Sequence, residues 1–166
     1  GSKDTIGRYM TSGKQANSSE LLWKTSIDNP SYLCIHEKML FAITEATSRA
    51  RVYMFKLIKD EYQLIDSADV IGEGLCHITY LPKSKVLVGS CYGDGRVLSI
   101  GVAQNGFTDV KSNIKLHSTS DGISRAHCAI WDKTEEKLLV TNIATDRLYM
   151  YSIVDGELEY NCYMQM

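Results

Sequence analysis

The sequence predicts an all-β protein, a β-propeller of four-stranded antiparallel blades, of which about three are present. Short runs of β-favouring residues alternate with polar turns along the chain, as they do in antiparallel hairpins. An arginine followed by an apolar-rich strand recurs at Arg51, Arg96 and Arg147, at spacings of 45 (96 − 51) and 51 (147 − 96) residues. Four short strands per repeat, at a period of roughly 40–50 residues, are typical of propeller blades.

Each repeat contains the same elements in the same order. An apolar innermost strand comes first, and a second apolar strand follows it over residues 40–42, 86–88 and 138–140. The arginine-led strand is third, and a turn and a short outer strand complete the blade. We therefore expect a single propeller segment over 1–166, with full blades over about 29–70, 74–116 and 124–166 and a leading partial blade over 1–28.

Composition and charge are those of a soluble globular protein. Hydrophobic residues make up 44% of the chain and the net charge is −2, so we expect no binding to nucleic acid or membranes. The sequence has no apolar run of bilayer length and no signal-peptide pattern. The five cysteines are odd in number and include no CxxC pair, which is typical of reduced thiols. These features predict a cytoplasmic protein.

Three candidate site residues come from the repeat itself. In a propeller the innermost strands line the central channel, so their first residues gather at one mouth of that channel. Alignment of the three repeats puts Tyr32, His77 and His127 at equivalent positions there. The sequence thus predicts that three side chains far apart in the chain meet around one axis.

Five short motifs, in order along the chain, carry a family resemblance. They are Asn29-Pro30-Ser31-Tyr32-Leu33, the glycine-rich run Gly72–His77, Tyr92-Gly93-Asp94-Gly95-Arg96-Val97, Ala126-His127 and Thr145–Tyr151. In these motifs the chain resembles the lactonase-type seven-bladed propellers, a family that contains 6-phosphogluconolactonases and carboxy-cis,cis-muconate cyclases. The resemblance runs from about Ile6 to about Leu158 and corresponds to about the N-terminal half of a family member.

The resemblance implies a partial active site. A His-Ala-His-like run of the family appears here as Arg125-Ala126-His127, so His127 matches an active-site histidine and Arg125 replaces the first one. The chain also departs from the family at Cys91 and Asn142, and a family strand is missing after Ser12-Gly13-Lys14. Two arginines and a glutamate of the family's site lie on later blades. We therefore expect this chain alone to be incomplete as an enzyme.

The implied activity is that of a parent protein that hydrolyses a sugar lactone such as 6-phosphogluconolactone. His127 would act as the general base or acid, since imidazole titrates near neutral pH. Arg125, His77 and Tyr32 would bind the small anionic lactone, with no metal or cofactor. A structural interpretation stands beside each of these roles: a solvated loop arginine, or ring packing at a strand end. Two alternative functions stay open, a muconate-type cyclase and a non-catalytic propeller that serves as a binding scaffold.

Two cysteines adjoin the candidate histidines in sequence. Neighbouring residues of a strand point to opposite faces, so His77 cannot activate Cys76 and His127 cannot activate Cys128. We interpret both thiols as buried apolar groups.

Three repeats do not close a propeller ring. An open array would leave a sheet face and strand edges exposed to solvent. A homodimer that covers the open edges and a longer parent chain are the two explanations that we consider, and we favour the longer parent.

Overall fold

The computed structural model describes residues 5–11, 19–47 and 49–166, and within these ranges the secondary structure is entirely β-strand. The strands are β1 (Thr5–Thr11), β2 (Ser19–Ser26), β3 (Pro30–His36), β4 (Met39–Thr44), β5 (Ala50–Ile58), β6 (Glu61–Val70), β7 (Leu75–Leu81), β8 (Val86–Cys91), β9 (Arg96–Ala103), β10 (Gly106–Lys115), β11 (Ala126–Trp131), β12 (Lys137–Asn142), β13 (Arg147–Val154) and β14 (Glu157–Gln165). The predicted absence of a family strand after Ser12-Gly13-Lys14 concerns residues that lie outside the described ranges.

The strands form three four-stranded antiparallel sheets and one two-stranded sheet. Blade 1 is β3-β4-β5-β6, blade 2 is β7-β8-β9-β10 and blade 3 is β11-β12-β13-β14, each in chain order from one edge of the sheet to the other. The pair β1-β2 forms a leading sheet beside blade 1. The predicted fold class, a partial propeller of antiparallel blades, is confirmed.

Successive sheets pack face to face because alternate residues of each strand point to opposite faces. In β4, Leu40 and Ala42 pack with Ile6 of the leading sheet, whereas Phe41 and Ile43 pack in a separate cluster against blade 2. All six residues of β8 are buried, since blade 2 has a neighbour on both faces. The second strands of blades 1 and 2 therefore each contribute to two hydrophobic cores.

The face of blade 3 that points away from blade 2 has no covering sheet within the described part of the chain. In β12, Leu138 and Val140 are fully buried against blade 2, but Leu139, which lies between them, is partly exposed. Ile130 of β11 is 55% exposed. We call this surface the open face of blade 3.

Hydrogen bonds between side-chain carboxylates and backbone N–H groups tie the blades to one another. The Asp66 carboxylate of blade 1 accepts a hydrogen bond from the backbone N–H of Phe107 at 2.8 Å. The buried Glu135 carboxylate of blade 3 accepts from the backbone N–H groups of Lys83 and Ser84 at 3.0 and 3.1 Å. These bonds fix the position of each blade relative to the next. No helix in the described residues is long and apolar enough to cross a membrane.

Candidate functional site

A β-bulge near the start of each innermost strand decides which side chains meet at the channel. The pairing of β7 with β8 shifts between Leu75 and His77, and that of β11 with β12 shifts between Ala126 and Cys128. The strand β3 has the same irregularity between Pro30 and Leu33. A bulge inserts one unpaired residue and turns the following side chain to a new direction.

This bulge corrects the predicted alignment of the repeats. His77 pairs with Ser90 and Cys128 pairs with Thr141, and both pairs are displaced by 51 residues (128 − 77 and 141 − 90). The structural counterpart of His77 is therefore Cys128. The prediction that His77 and His127 are equivalent is wrong by one residue, because His127 occupies the bulge position itself. Arg96 and Arg147 are also 51 residues apart, so the sequence spacing already indicated that Cys128 corresponds to His77.

The structure does bring Tyr32 and His77 together. Their ring centroids are 4.5 Å apart, and on the other side of His77 the Sγ atom of Cys128 lies 3.6 Å from Nε2. Tyr32, His77 and Cys128 thus form a row across the innermost strands of the three blades. A cavity of about 290 Å³ beside this row is lined by Tyr32, His77 and residues that include Thr79 and Trp131.

The row does not form an activated nucleophile. The backbone N–H of Ala129 donates to Nδ1 of His77 at 3.3 Å, so a neutral His77 carries its proton on Nε2, the atom that faces Cys128. Burial, and then the neighbouring His127, lower the pKa of His77, and burial raises the pKa of Cys128. Both groups are therefore held in their neutral forms, whereas a catalytic cysteine requires a thiolate and an available base.

His127 lies in a second cluster, with Arg125 and Tyr92. The His127 ring meets the Tyr92 ring edge to face, with centroids 5.8 Å apart and planes at 76°. The Arg125 guanidinium carbon lies 4.5 Å from the centroid of the same tyrosine ring. His127 is exposed, while Arg125 and Tyr92 are half-buried. The cluster joins blades 2 and 3 at the end of the sheets where the innermost strands begin.

Tyr92 is the site residue that the sequence analysis missed. The sequence named it only as the first residue of the family-like motif Tyr92–Val97, and no role was predicted for its side chain. The available signal was its position: an aromatic residue directly after β8, at the same end of the sheets as the start of β11.

The backbone of this cluster is held by a buried amide. The Oδ1 atom of Asn142 accepts from the N–H groups of Arg125 at 3.0 Å and Ala144 at 3.2 Å. Its Nδ2 atom donates to the His117 carbonyl at 2.8 Å and to Ser124 Oγ at 3.1 Å. Asn142 is fully buried, so all four hydrogen bonds form in a low-dielectric environment. Asn142, one of the positions at which the chain departs from the family that it resembles, thus has a complete set of hydrogen bonds.

The cysteines nearest to the cluster are packed as inert thiols. Cys76 Sγ lies 3.4 Å from the carbonyl oxygens of Ser90 and His127, and burial raises its pKa to about 11. Burial raises the pKa of Cys91 to about 12. Among the described residues, no group of three or more histidine, cysteine, aspartate or glutamate side chains is placed to hold a metal ion.

The arginine that recurs in each blade contacts residues of its own blade, as expected for a residue that every repeat contains. Arg51 Nε lies 2.6 Å from Oδ1 of Asp69 on the neighbouring strand, and Arg96 Nε lies 3.1 Å from Oδ2 of Asp94. Arg147 stacks on a tyrosine of β14 at 4.3 Å. None of the three contacts belongs to the cluster of Tyr92, Arg125 and His127.

Comparisons with known proteins agree with this architecture. A periplasmic gluconolactonase from Pseudomonas aeruginosa superimposes with a TM-score of 0.85 at 16% identity, over 96% of this chain and 50% of that one. A candidate 6-phosphogluconolactonase from Bacteroides uniformis gives 0.81 at 15% identity, over 90% of this chain and 47% of that one. Another from Bacteroides fragilis gives 0.77 at 20% identity, over 92% and 48%. At identities this low, these superpositions show a shared fold alone.

The chain spans about half the length of these solved structures. A comparison with curated proteins found no match. The family model "Lactonase, 7-bladed beta-propeller" matches residues 1–166. This chain therefore belongs to the lactonase family of seven-bladed β-propellers.

Proposed function

We propose that this protein, at its natural length, is a lactonase that hydrolyses a sugar lactone such as 6-phosphogluconolactone. The observation that carries the proposal is that an exposed imidazole, His127, and a cation, Arg125, contact the same tyrosine ring. Within the described part of the chain, the Arg125 guanidinium makes no hydrogen bond or ion pair to another side chain, so it is free to bind an anion. Membership of the lactonase family supports the same reaction class.

The chemistry needs one group that moves a proton. His127 takes a proton from a water molecule while the water oxygen attacks the carbonyl carbon of the lactone. The tetrahedral intermediate then breaks the bond between that carbon and the ring oxygen. The imidazolium returns its proton to the departing ring oxygen, so the product is an open-chain hydroxy acid and His127 is regenerated.

Arg125 supplies binding rather than proton transfer. A guanidinium presents two parallel N–H groups, which match the oxygens of a phosphate or a carboxylate. A lactone that carries an anionic group at some distance from its carbonyl would be held with that carbonyl near His127. The remaining groups that surround such a substrate would come from other blades of a closed ring. We place this activity in the cytoplasm, where the five free thiols stay reduced.

Hydrolysis of 6-phosphogluconolactone by the natural-length protein, corrected for spontaneous ring opening, tests the proposal. We expect His127→Ala to lower the rate by a factor on the order of a hundred or more. His36→Ala is the matched control, since His36 ends β3 at the opposite end of the sheet and should leave the rate unchanged. Equal rates for the wild type and His127→Ala would remove His127 from the mechanism. A wild-type rate at background would leave the cyclase and scaffold alternatives.

A further inference from the structure

We propose that Tyr92 is a positioning residue that sets the preference for an anionic lactone by holding Arg125 in place. This inference rests on the proposed function of the same site. The Tyr92 ring has the Arg125 guanidinium over its face at 4.5 Å and the His127 ring in contact at 5.8 Å. One aromatic side chain therefore fixes the separation between the anion-binding group and the base.

The backbone of Tyr92 is held rigidly. Its N–H donates to the carbonyl of Gly74 at 2.8 Å, and the N–H of Gly93 donates to the carbonyl of Glu73 at 2.9 Å. A Cβ atom on Gly93 would lie 2.8 Å from that carbonyl oxygen, so only glycine permits this approach. Gly74 itself has φ of 59°, in the left-handed region. Hydrogen bonds thus join the loop before β7 to the loop between β8 and β9, and the backbone of Tyr92 is fixed in place.

Arg125 is held from two sides by different blades. Its backbone N–H donates to Oδ1 of the buried Asn142 in blade 3 at 3.0 Å, while its guanidinium rests on Tyr92 of blade 2. A cation over the face of an aromatic ring is attracted to it without donating a hydrogen bond, and among the described residues none accepts one from the Arg125 guanidinium. The N–H groups of this guanidinium therefore stay available for an anion, and its position is preorganised.

Removal of the Tyr92 ring should lower the rate for a charged lactone more than the rate for an uncharged one. Tyr92→Leu would remove the ring face but keep an apolar side chain, so the guanidinium would lose the aromatic ring that it contacts. The rate for a lactone with a phosphate should then fall, whereas the rate for an uncharged lactone, which makes no use of Arg125, should change little. A phenylalanine keeps the ring face and should keep the preference.

The test compares 6-phosphogluconolactone with uncharged gluconolactone in the natural-length protein. For Tyr92→Leu we expect kcat/KM to fall about tenfold on the phosphorylated substrate, mainly through KM, and to stay within about twofold on the uncharged one. Tyr92→Phe should match the wild type on both. Equal losses on the two substrates, no loss on either, or a Tyr92→Phe variant as impaired as Tyr92→Leu would overturn the positioning role.

Binding of 6-phosphogluconate by calorimetry separates this inference from the proposed function. If Tyr92→Leu and Arg125→Ala both weaken binding about tenfold while His127→Ala leaves hydrolysis unchanged, the positioning role holds and the catalytic assignment fails. If the wild type binds no 6-phosphogluconate, or Tyr92→Leu binds it as tightly as the wild type, the positioning role is refuted. Thermal unfolding of each variant shows that the differences do not arise from loss of the fold.

Discussion

At the scale of single residues, the predicted site residues lie in two separate groups. His127 and Arg125 were predicted as site residues, and both lie on the Tyr92 ring. His77 was predicted to be the counterpart of His127, yet it contacts Tyr32 and Cys128 in a separate row. The error comes from aligning the two histidines at a spacing of 50 residues (127 − 77), whereas Arg96 and Arg147 are 51 residues apart (147 − 96), so that His127 falls on the bulge.

His77 gives a prediction about pH. The fold lowers the pKa of His77, through burial first and the charge of His127 second, while the unfolded chain takes up this proton near pH 6.5. As pH falls, the unfolded state therefore binds the proton first, and folding stability that is complete above about pH 6.5 is lost toward the lower folded pKa. In His77→Asn, whose Oδ1 still accepts from Ala129, we expect a shallower decline in stability.

Urea unfolding of the wild type and His77→Asn at about pH 7.5 and pH 5 measures this difference. A wild type that loses no more stability than the variant between the two pH values would show that His77 does not contribute in this way.

At the scale of strands and loops, the repeat predicted nearly all of the order of elements. Short β-favouring runs, each followed by a polar turn, became four-stranded sheets in chain order because sequential strands pair through tight hairpins. The repeat gave no information about the loops between blades. The loop before β11 is instead ordered by Asn142, whose four hydrogen bonds depend on three-dimensional proximity to His117 and Ser124.

Asn142 yields a prediction about stability. Asn142→Ala would remove the buried amide that bonds the His117 carbonyl and the N–H groups of Arg125 and Ala144, which should cost about 3 kcal/mol in the free energy of unfolding. Asn142→Asp should lose less, because its carboxylate can still accept from Arg125 and Ala144 although it faces the His117 carbonyl. Asn105→Ala, in the exposed turn between β9 and β10, is the control and should change stability by under about 0.5 kcal/mol.

Chemical denaturation of the three variants provides the comparison. If Asn142→Ala unfolds at the same denaturant concentration as Asn105→Ala, the buried amide does not hold the loop.

At the scale of the whole molecule, blade 3 has one face packed against blade 2 and one face, its open face, that no described sheet covers. The cluster of Tyr92, Arg125 and His127 lies between blades 2 and 3, whose shared core is fully buried. The open face of blade 3, with Ile130 and Leu139, is the kind of surface on which a further blade packs in a closed ring. A homodimer and a longer parent chain stay as the two predicted ways to cover it. Sequence periodicity could predict the blades but not what surrounds them, because the repeat describes one unit and its neighbours only.

We propose that the cluster of Tyr92, Arg125 and His127 binds the anionic lactone. Titration of the natural-length protein, with isotopically labelled histidines, by 6-phosphogluconate tests it most directly through the imidazole NMR signals. We expect the His127 signal, assigned from a His127→Gln variant, to shift saturably in the wild type and not to shift in Arg125→Ala. The His36 signal should stay in place in both proteins. A protein that binds 6-phosphogluconate while the His127 signal stays in place would contradict the claim.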